Sequence, residues 1–227
     1  MMKIFNVKWT STSAGPSPEH NRRTEVFLAG CKIAEKGHPC KGCFNQKLWS
    51  SKKFVADETP EAAAERIMRF APNKYVTFVG GEPLDQFDEL VKTCEILKDN
   101  GYHIIVITHY QLKEMIQENW LKADRLVDTV DILIDGAYDE TQRIWDEDKA
   151  GDNIHDVIGS GNQIVWDLHD VHLNQKTLQG FPAKYLYQMG LTNDNELHFI
   201  TTDNAVETII DTPFAAAMFA EEMPVAV

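Results

Sequence analysis

An α/β fold on a largely parallel sheet is what these 227 residues predict. Between Thr24 and Asp170, short runs rich in β-branched and aromatic residues alternate with longer stretches of helical periodicity, the pattern of strands joined by crossovers. The helical stretches begin and end on capping residues. Glycine-rich and acidic turns follow the strand runs at their carboxyl ends, where α/β sheets build ligand sites.

The strand candidates are residues 25–29, 75–79, 103–108, 129–134 and 163–167. Thr59-Pro60-Glu61 opens the first helix with an N-cap, a proline at the first helical position and an acid in the first turn, and 62–70 continue it. The second spans 84–100: Leu84, Phe87, Leu90, Val91, Cys94 and Leu97 share one face, and Asn100-Gly101 stops it. Cys94, on that face, is expected to be a buried core thiol. A third helix covers about 111–127. Residues 135–161, rich in Asp and Gly, read as a long loop of the kind that is functional or mobile. In the tail, 196–201 suggest a strand and 213–223 a helix. With no repeat and no low-complexity linker, the reading is one core over 1–170 and a C-terminal extension, 171–227, of unknown role packed on the same domain.

A chain of this length buries roughly 70% of its unfolded surface and needs no staples. Four cysteines, three of them clustered, do not make a secreted disulfide framework, and the N-terminus carries no apolar segment of signal-peptide length. No apolar run approaches the roughly 20 residues that span a bilayer. The expectation is a cytoplasmic protein without membrane contact. A net charge of -13 opposes non-specific binding to nucleic acid, because phosphates would be repelled. Locally the sign inverts: Lys32, Lys36, Lys41, Lys47, Lys52 and Lys53 face one nearby acid, Glu35. Such a stretch is either a solvated basic face or a docking patch for an acidic electron donor.

Cys31, Cys40 and Cys43 carry the chemistry. Three thiolates in one loop can hold three corners of an iron–sulfur cluster and leave the fourth iron without a protein ligand. They also suit a structural zinc site, which needs four closed ligands; His38 supplies the fourth by spacing. The apolar run 76–79 leads into Gly80-Gly81-Glu82-Pro83, two glycines at a strand's carboxyl end, where missing side chains allow close approach of backbone to a ligand. His169 and His172 lack partners to complete a site and read as surface or packing residues. Serine and threonine nucleophile motifs are absent, so no catalytic side chain is expected beyond the cluster.

The stretch from Phe27 through Cys31, Cys40-Lys41-Gly42-Cys43-Phe44-Asn45 and Trp49 resembles the cluster loop of radical S-adenosylmethionine enzymes, above all the activating enzymes of anaerobic ribonucleotide reductase. Gly80-Gly81-Glu82-Pro83, the Asp135-Gly136 turn and Gly159-Ser160-Gly161-Asn162-Gln163 follow in that family's order, and Thr108-His109-Tyr110 lies where the family tends to have Thr-Gly-Tyr. Two departures stand out. Eight residues, 32–39, separate the first two cysteines where three are usual, an extension that costs roughly 0.9 kcal/mol of loop closure. Ile158 occupies a position usually held by arginine.

The resemblance implies a partial (β/α) barrel. It assigns a [4Fe-4S] cluster to Cys31, Cys40 and Cys43, and the amino acid part of S-adenosylmethionine to Gly80, Gly81, Glu82 and Pro83, with Glu82 accepting from its ammonium. It places Thr108 at the cofactor, gives Asp135 a polar contact in the pocket, and has Phe44 either face the adenine or pack in the core. The implied reaction is reductive cleavage of S-adenosylmethionine and hydrogen abstraction from a glycine of the anaerobic ribonucleotide reductase catalytic subunit, leaving a glycyl radical. A flavodoxin-like or other low-potential donor supplies the electron. Two alternatives stay open: a small-molecule radical enzyme such as 7-carboxy-7-deazaguanine synthase, whose relatives place Asp-Thr where this chain has Phe44-Asn45, and a zinc-stabilised interaction module without catalysis.

Overall fold

The protein is described by a computed structural model at residues 1–10, 23–143, 159–169, 172–173 and 178–179. Strands β1 (Met2–Thr10), β2 (Arg23–Leu28), β3 (Ala56–Glu58), β4 (Tyr75–Gly80), β5 (His103–Ile107), β6 (Ile132–Asp135) and β7 (Ile164–Asp167) form one sheet in the order β3-β1-β2-β4-β5-β6-β7. Its helices are α1 (Lys32–Glu35), α2 (Pro60–Phe70), α3 (Phe87–Asp99), α4 (Leu112–Glu118) and α5 (Trp120–Thr129). A two-stranded ladder, β8 (His172–Leu173) with β9 (Leu178–Gln179), stands apart. The expected tail elements at 196–201 and 213–223 lie outside the described residues.

The α/β expectation holds, but the sheet is mixed. Pairings β2/β4, β4/β5 and β5/β6 are parallel, whereas β1/β2, β1/β3 and β6/β7 are antiparallel. The sheet does not close, since β3 and β7 are its two edges. Strand β1 escaped the sequence reading because a bulge between Ile4 and Asn6 shifts its register: the core residues are Met2 and Ile4 before it and Val7 after it, so no single alternation runs through the strand.

Alternation holds elsewhere. Val26, Leu28, Val76, Phe78, Ile104, Val106 and Leu133 turn one face to the core, where Ile67 of α2, Leu90, Cys94 and Leu97 of α3 and Leu126 of α5 cover it. The Thr59 hydroxyl accepts from Ala62 N–H at 3.3 Å, with Pro60 at the first helical position. The stretch expected as one helix over 84–100 begins as a 3₁₀ turn, Pro83–Gln86, capped by Glu82, before α3 starts at Phe87. The third expected helix is two: Asn119 ends α4, and its side chain accepts from Lys122 N–H to cap α5. Thr129, expected in a strand, closes α5 instead because its hydroxyl bonds back to the Arg125 carbonyl at 2.6 Å. Crossovers between parallel strands bring the carboxyl ends of β2, β4, β5 and β6 to one side of the sheet, and the site lies there.

Candidate functional site

Chain leaving β2 is stitched to chain returning from the cysteine loop. Gly30 N–H donates to Leu48 O at 2.8 Å, and Cys31 N–H to Trp49 O at 2.9 Å. Residues 31–49 thereby close into a loop whose two ends share a hydrogen-bonded base. The eight-residue spacing is taken up as helix. Cys31 sits extended at the N-cap of α1, Asp85 Oδ2 accepts from Lys32 N–H at 2.5 Å, and Gly37, at φ +87°, turns the chain back so that His38 N–H reaches Ile33 O at 2.9 Å.

Cys31, Cys40 and Cys43 all line one cavity of about 260 Å³. Strand ends contribute Val79, Gly80, Gly81, Ile107 and Thr108; the loop after β6 contributes Gly136 and Tyr138; Gly159 and Gln163 complete the far wall. His38 is exposed and does not line it. Among the described residues, no three His, Cys, Asp or Glu side chains are grouped to hold one metal ion. A cluster does not ask for that, because each thiolate binds a different iron, whereas tetrahedral zinc draws its ligands to one point. The donor set, three thiols around a shared cavity, therefore fits a three-cysteine cluster. Burial pushes the Cys31 thiol up to about 11 against the opposing Ala34 N–H, with Glu82, Asp85 and Cys40 adding to the rise; burial also raises Cys40. Iron must displace both protons on ligation.

The glycine turn does something other than leave room for a ligand. A Cβ on Gly81 would lie 2.1 Å from the Gly30 carbonyl oxygen, and one on Gly80, whose φ is +124°, would lie 2.4 Å from the Leu28 main chain. Two protein backbones meet here: Gly81 N–H donates to Leu28 O at 2.8 Å and Glu82 N–H to Gly30 O at 2.7 Å. The missing side chains let the end of β4 lie directly against the root of the cysteine loop.

Glu82 is 1% exposed and fully engaged. Oε1 accepts from Leu84 N–H at 2.8 Å and the Thr108 hydroxyl at 2.6 Å; Oε2 accepts from His109 N–H at 2.9 Å and lies 2.5 Å from His109 Nδ1. Four partners meet its two oxygens, so Glu82 locks the end of β4 to the end of β5 while also lining the cavity. Thr108 turns its hydroxyl to Glu82. Pro83 is buried in the 3₁₀ turn outside the cavity lining.

Asp135 also lies outside the lining; its neighbour Gly136 is what faces the cavity. Its Oδ2 accepts from Leu112 N–H at 2.7 Å and Trp166 Nε1–H at 3.0 Å, holding the start of α4 to β7. Phe44 neither packs in the core nor hides: it is 61% exposed at the cavity mouth, tilted 49° against Tyr138 with ring centroids 4.6 Å apart, and the Arg143 guanidinium lies over its ring, 5.7 Å from the centroid. Cys94 is fully buried, as expected. His169 is a surface residue whose Nε2 lies 2.8 Å from Asp131. Ile158 falls outside the described residues.

Trp49, His109, Tyr138 and Gln163 are lining residues that the motif reading assigned no role. Gln163 fixes the far wall: Oε1 accepts from Gly159 N–H at 2.9 Å and Ser160 N–H at 3.2 Å, while Nε2 donates to Gly136 O at 3.0 Å. Its signal was the segment 159–163 itself, read as a family likeness without a mechanism.

A family model described as a 4Fe-4S single cluster domain matches residues 20–166. The chain is 31% identical over 159 residues to the anaerobic ribonucleoside-triphosphate reductase-activating protein of Pasteurella multocida, covering 63% of this chain and 86% of that protein. It is 28% identical over 154 residues to the protein of the same name from Haemophilus influenzae, with the same two coverages. A pyruvate formate-lyase-activating enzyme of Clostridium pasteurianum is 32% identical over 94 residues, 38% of this chain and 36% of its own length. Both kinds of relative activate other enzymes, the cluster-domain match takes in all three cysteines and the cavity they line, and the chain belongs to the radical S-adenosylmethionine glycyl-radical activating enzymes.

Proposed function

We propose that this enzyme is the activase of an anaerobic ribonucleotide reductase, holding a [4Fe-4S] cluster on Cys31, Cys40 and Cys43 and S-adenosylmethionine beside it, and that it abstracts hydrogen from a glycine of the reductase catalytic subunit. The carrying observation is the opening of all three thiols onto one cavity floored by the ends of β4 and β5. The choice of reductase over other glycyl-radical enzymes rests on the two reductase-activating relatives, each matched over 86% of its length. When bound, the cluster and S-adenosylmethionine supply one-electron cleavage of the sulfonium and the hydrogen-abstracting power that no amino acid side chain possesses.

The chain's own work is positioning and exclusion. The parallel strands β2, β4, β5 and β6 serve as the trimmed barrel. Main-chain carbonyls of Gly80 and Gly81 receive the ammonium of S-adenosylmethionine, and Glu82 contributes negative charge from behind while Thr108 and His109 keep it in place. Phe44 and Tyr138 form an apolar lip for the adenine. Asp135 supports the site through α4 and β7, without touching the cofactor. The exposed lysines around the cysteine loop receive an acidic, flavodoxin-like donor, and a cytoplasmic setting suits unpaired thiols. Among the described residues no helix is long and apolar enough to cross a membrane.

Electron paramagnetic resonance of anaerobically reconstituted, dithionite-reduced protein tests the cofactors. A reduced-cluster signal whose shape changes on adding S-adenosylmethionine is expected, whereas folded protein that keeps stoichiometric zinc and never gives that signal overturns the reading. Incubation with the purified reductase catalytic subunit then tests the target: a glycyl-radical doublet should appear there. Turnover-linked cleavage of S-adenosylmethionine on a small substrate alone, with no doublet on the reductase, would point to the small-molecule alternative.

A further inference from the structure

The three cysteine thiols meet different surroundings. Main-chain groups of Ala34, and of Tyr138 and Cys40 itself, oppose the burial that raises the Cys31 and Cys40 thiols. Cys43 instead receives the indole N–H of Trp49, with Nε1 3.4 Å from Sγ. Among the described residues this is the one side-chain hydrogen bond to a cavity thiol. Trp49 is half-buried and lines the cavity, and its main-chain oxygen accepts from Cys31 N–H. One residue thus grips the first cysteine through its backbone and the third through its ring.

Main-chain donors cannot be altered by substitution, whereas the indole can. Donors to ligand sulfurs are among the features that set the potential of an iron–sulfur cluster. Reduction adds an electron, and negative charge on the thiolate sulfurs grows with it. An N–H dipole aimed at one of those sulfurs favours the reduced form more than the oxidised form and so raises the potential. A charge-assisted hydrogen bond to a partly buried thiolate is stronger than its counterpart in water.

We infer that Trp49 is a positioning residue that tunes the cluster through the Cys43 thiolate, its indole N–H raising the reduction potential and easing electron entry. The inference rests on the cluster reading above and deepens it. Phenylalanine is the informative replacement, because it keeps an aromatic ring and the main-chain bond to Cys31 while removing the donor.

The test is a redox titration of reconstituted wild type and Trp49→Phe, followed by the reduced-cluster resonance, with electron–nuclear double resonance in H₂O and D₂O. The variant should load iron as wild type does and lose one exchangeable-proton coupling. Its reduced-to-oxidised ratio at a fixed potential should fall about tenfold, equivalent to about 59 mV for a one-electron couple. Equal potentials and couplings in two loaded proteins overturn the inference while leaving the activase reading intact. Should the variant fail to fold, wild type labelled with ¹⁵N-indole tryptophan decides the matter: a nitrogen coupling to the reduced cluster supports the contact, and its absence overturns it. Wild type that never loads a cluster overturns both readings, an outcome recognisable from the missing resonance before any comparison is made.

Discussion

Asp135 is adjacent to the cavity in sequence and turned away from it in space. Its Oδ1 is buried with no hydrogen-bond partner among the described residues, and burial lifts its carboxyl to about 6 despite the bonds from Leu112 and Trp166. A carboxyl raised in the folded state favours folding when protonated. Its stabilising contribution is complete below the ordinary carboxylate value and disappears as pH rises through about 6. The swing is about 3 kcal/mol at most. Asp135→Asn should therefore flatten the pH dependence of unfolding free energy between about pH 4 and 6, whatever it does to the absolute value. Urea titrations at a series of pH values read this directly; an unchanged slope would show that Asp135 does not titrate with folding. Gly81→Ala makes a different demand, since its new Cβ meets the Gly30 carbonyl at 2.1 Å. The cysteine loop must shift, and iron bound per chain after reconstitution should fall severalfold with secondary structure retained. The cysteines and glycines were legible because their chemistry is local in sequence. The roles of Glu82 and Asp135 were not, because their partners come from other elements, Thr108 and His109 for one, Leu112 and Trp166 for the other.

Elements with conventional ends read well, and elements whose ends depend on one side chain read badly. Helix α2 carries its start signal in three consecutive residues, and the structure keeps it. Thr59→Ala removes the cap and should lower stability by about 1 kcal/mol, measured by urea unfolding, with the cluster site unaffected; no loss would mean that Pro60 alone sets the helix start. Asn119 looked like a mid-helix residue until its side chain was seen capping Lys122, and Thr129 looked like the beginning of a strand until its hydroxyl was seen bonded to Arg125. Both side chains compete with regular backbone bonding, a contest that periodicity does not register. Strand β1 was hidden by its bulge, and the three antiparallel pairings around the parallel centre could not be read from an alternation of strands and helices.

Over the whole molecule, charge and topology set the site apart from the rest. Six exposed lysines at positions 32–53 sit on and beside the cysteine loop of a chain with net charge -13. Charge reversal at Lys47, Lys52 and Lys53 should slow cluster reduction by an acidic flavoprotein severalfold and abolish its salt dependence. Stopped-flow reduction rates at two ionic strengths test this, and equal rates for both proteins would remove the docking patch. The opposite end of the sheet is occupied by structural polar groups: Arg23, fully buried, donates to Thr77, Val76 and His103, and Asp131 accepts from Lys98 and Ile104. Chemistry and scaffold thus occupy opposite ends of the same strands.

A main-chain seam joins the two walls of the cavity. Glu140 N–H donates to Lys41 O at 3.2 Å, and Lys41 forms a parallel bridge with Asp139, so the cysteine loop and the loop after β6 are sewn together at a residue that trypsin recognises. Lys41 is exposed, and it lies between two of the three cysteines. A protease must draw its target bond out into an extended strand before cutting, which the seam and a filled cavity both resist. Limited tryptic digestion should therefore cut after Lys41 more slowly as iron is loaded, turning a peptide map into a gauge of cofactor occupancy that requires no spectrometer.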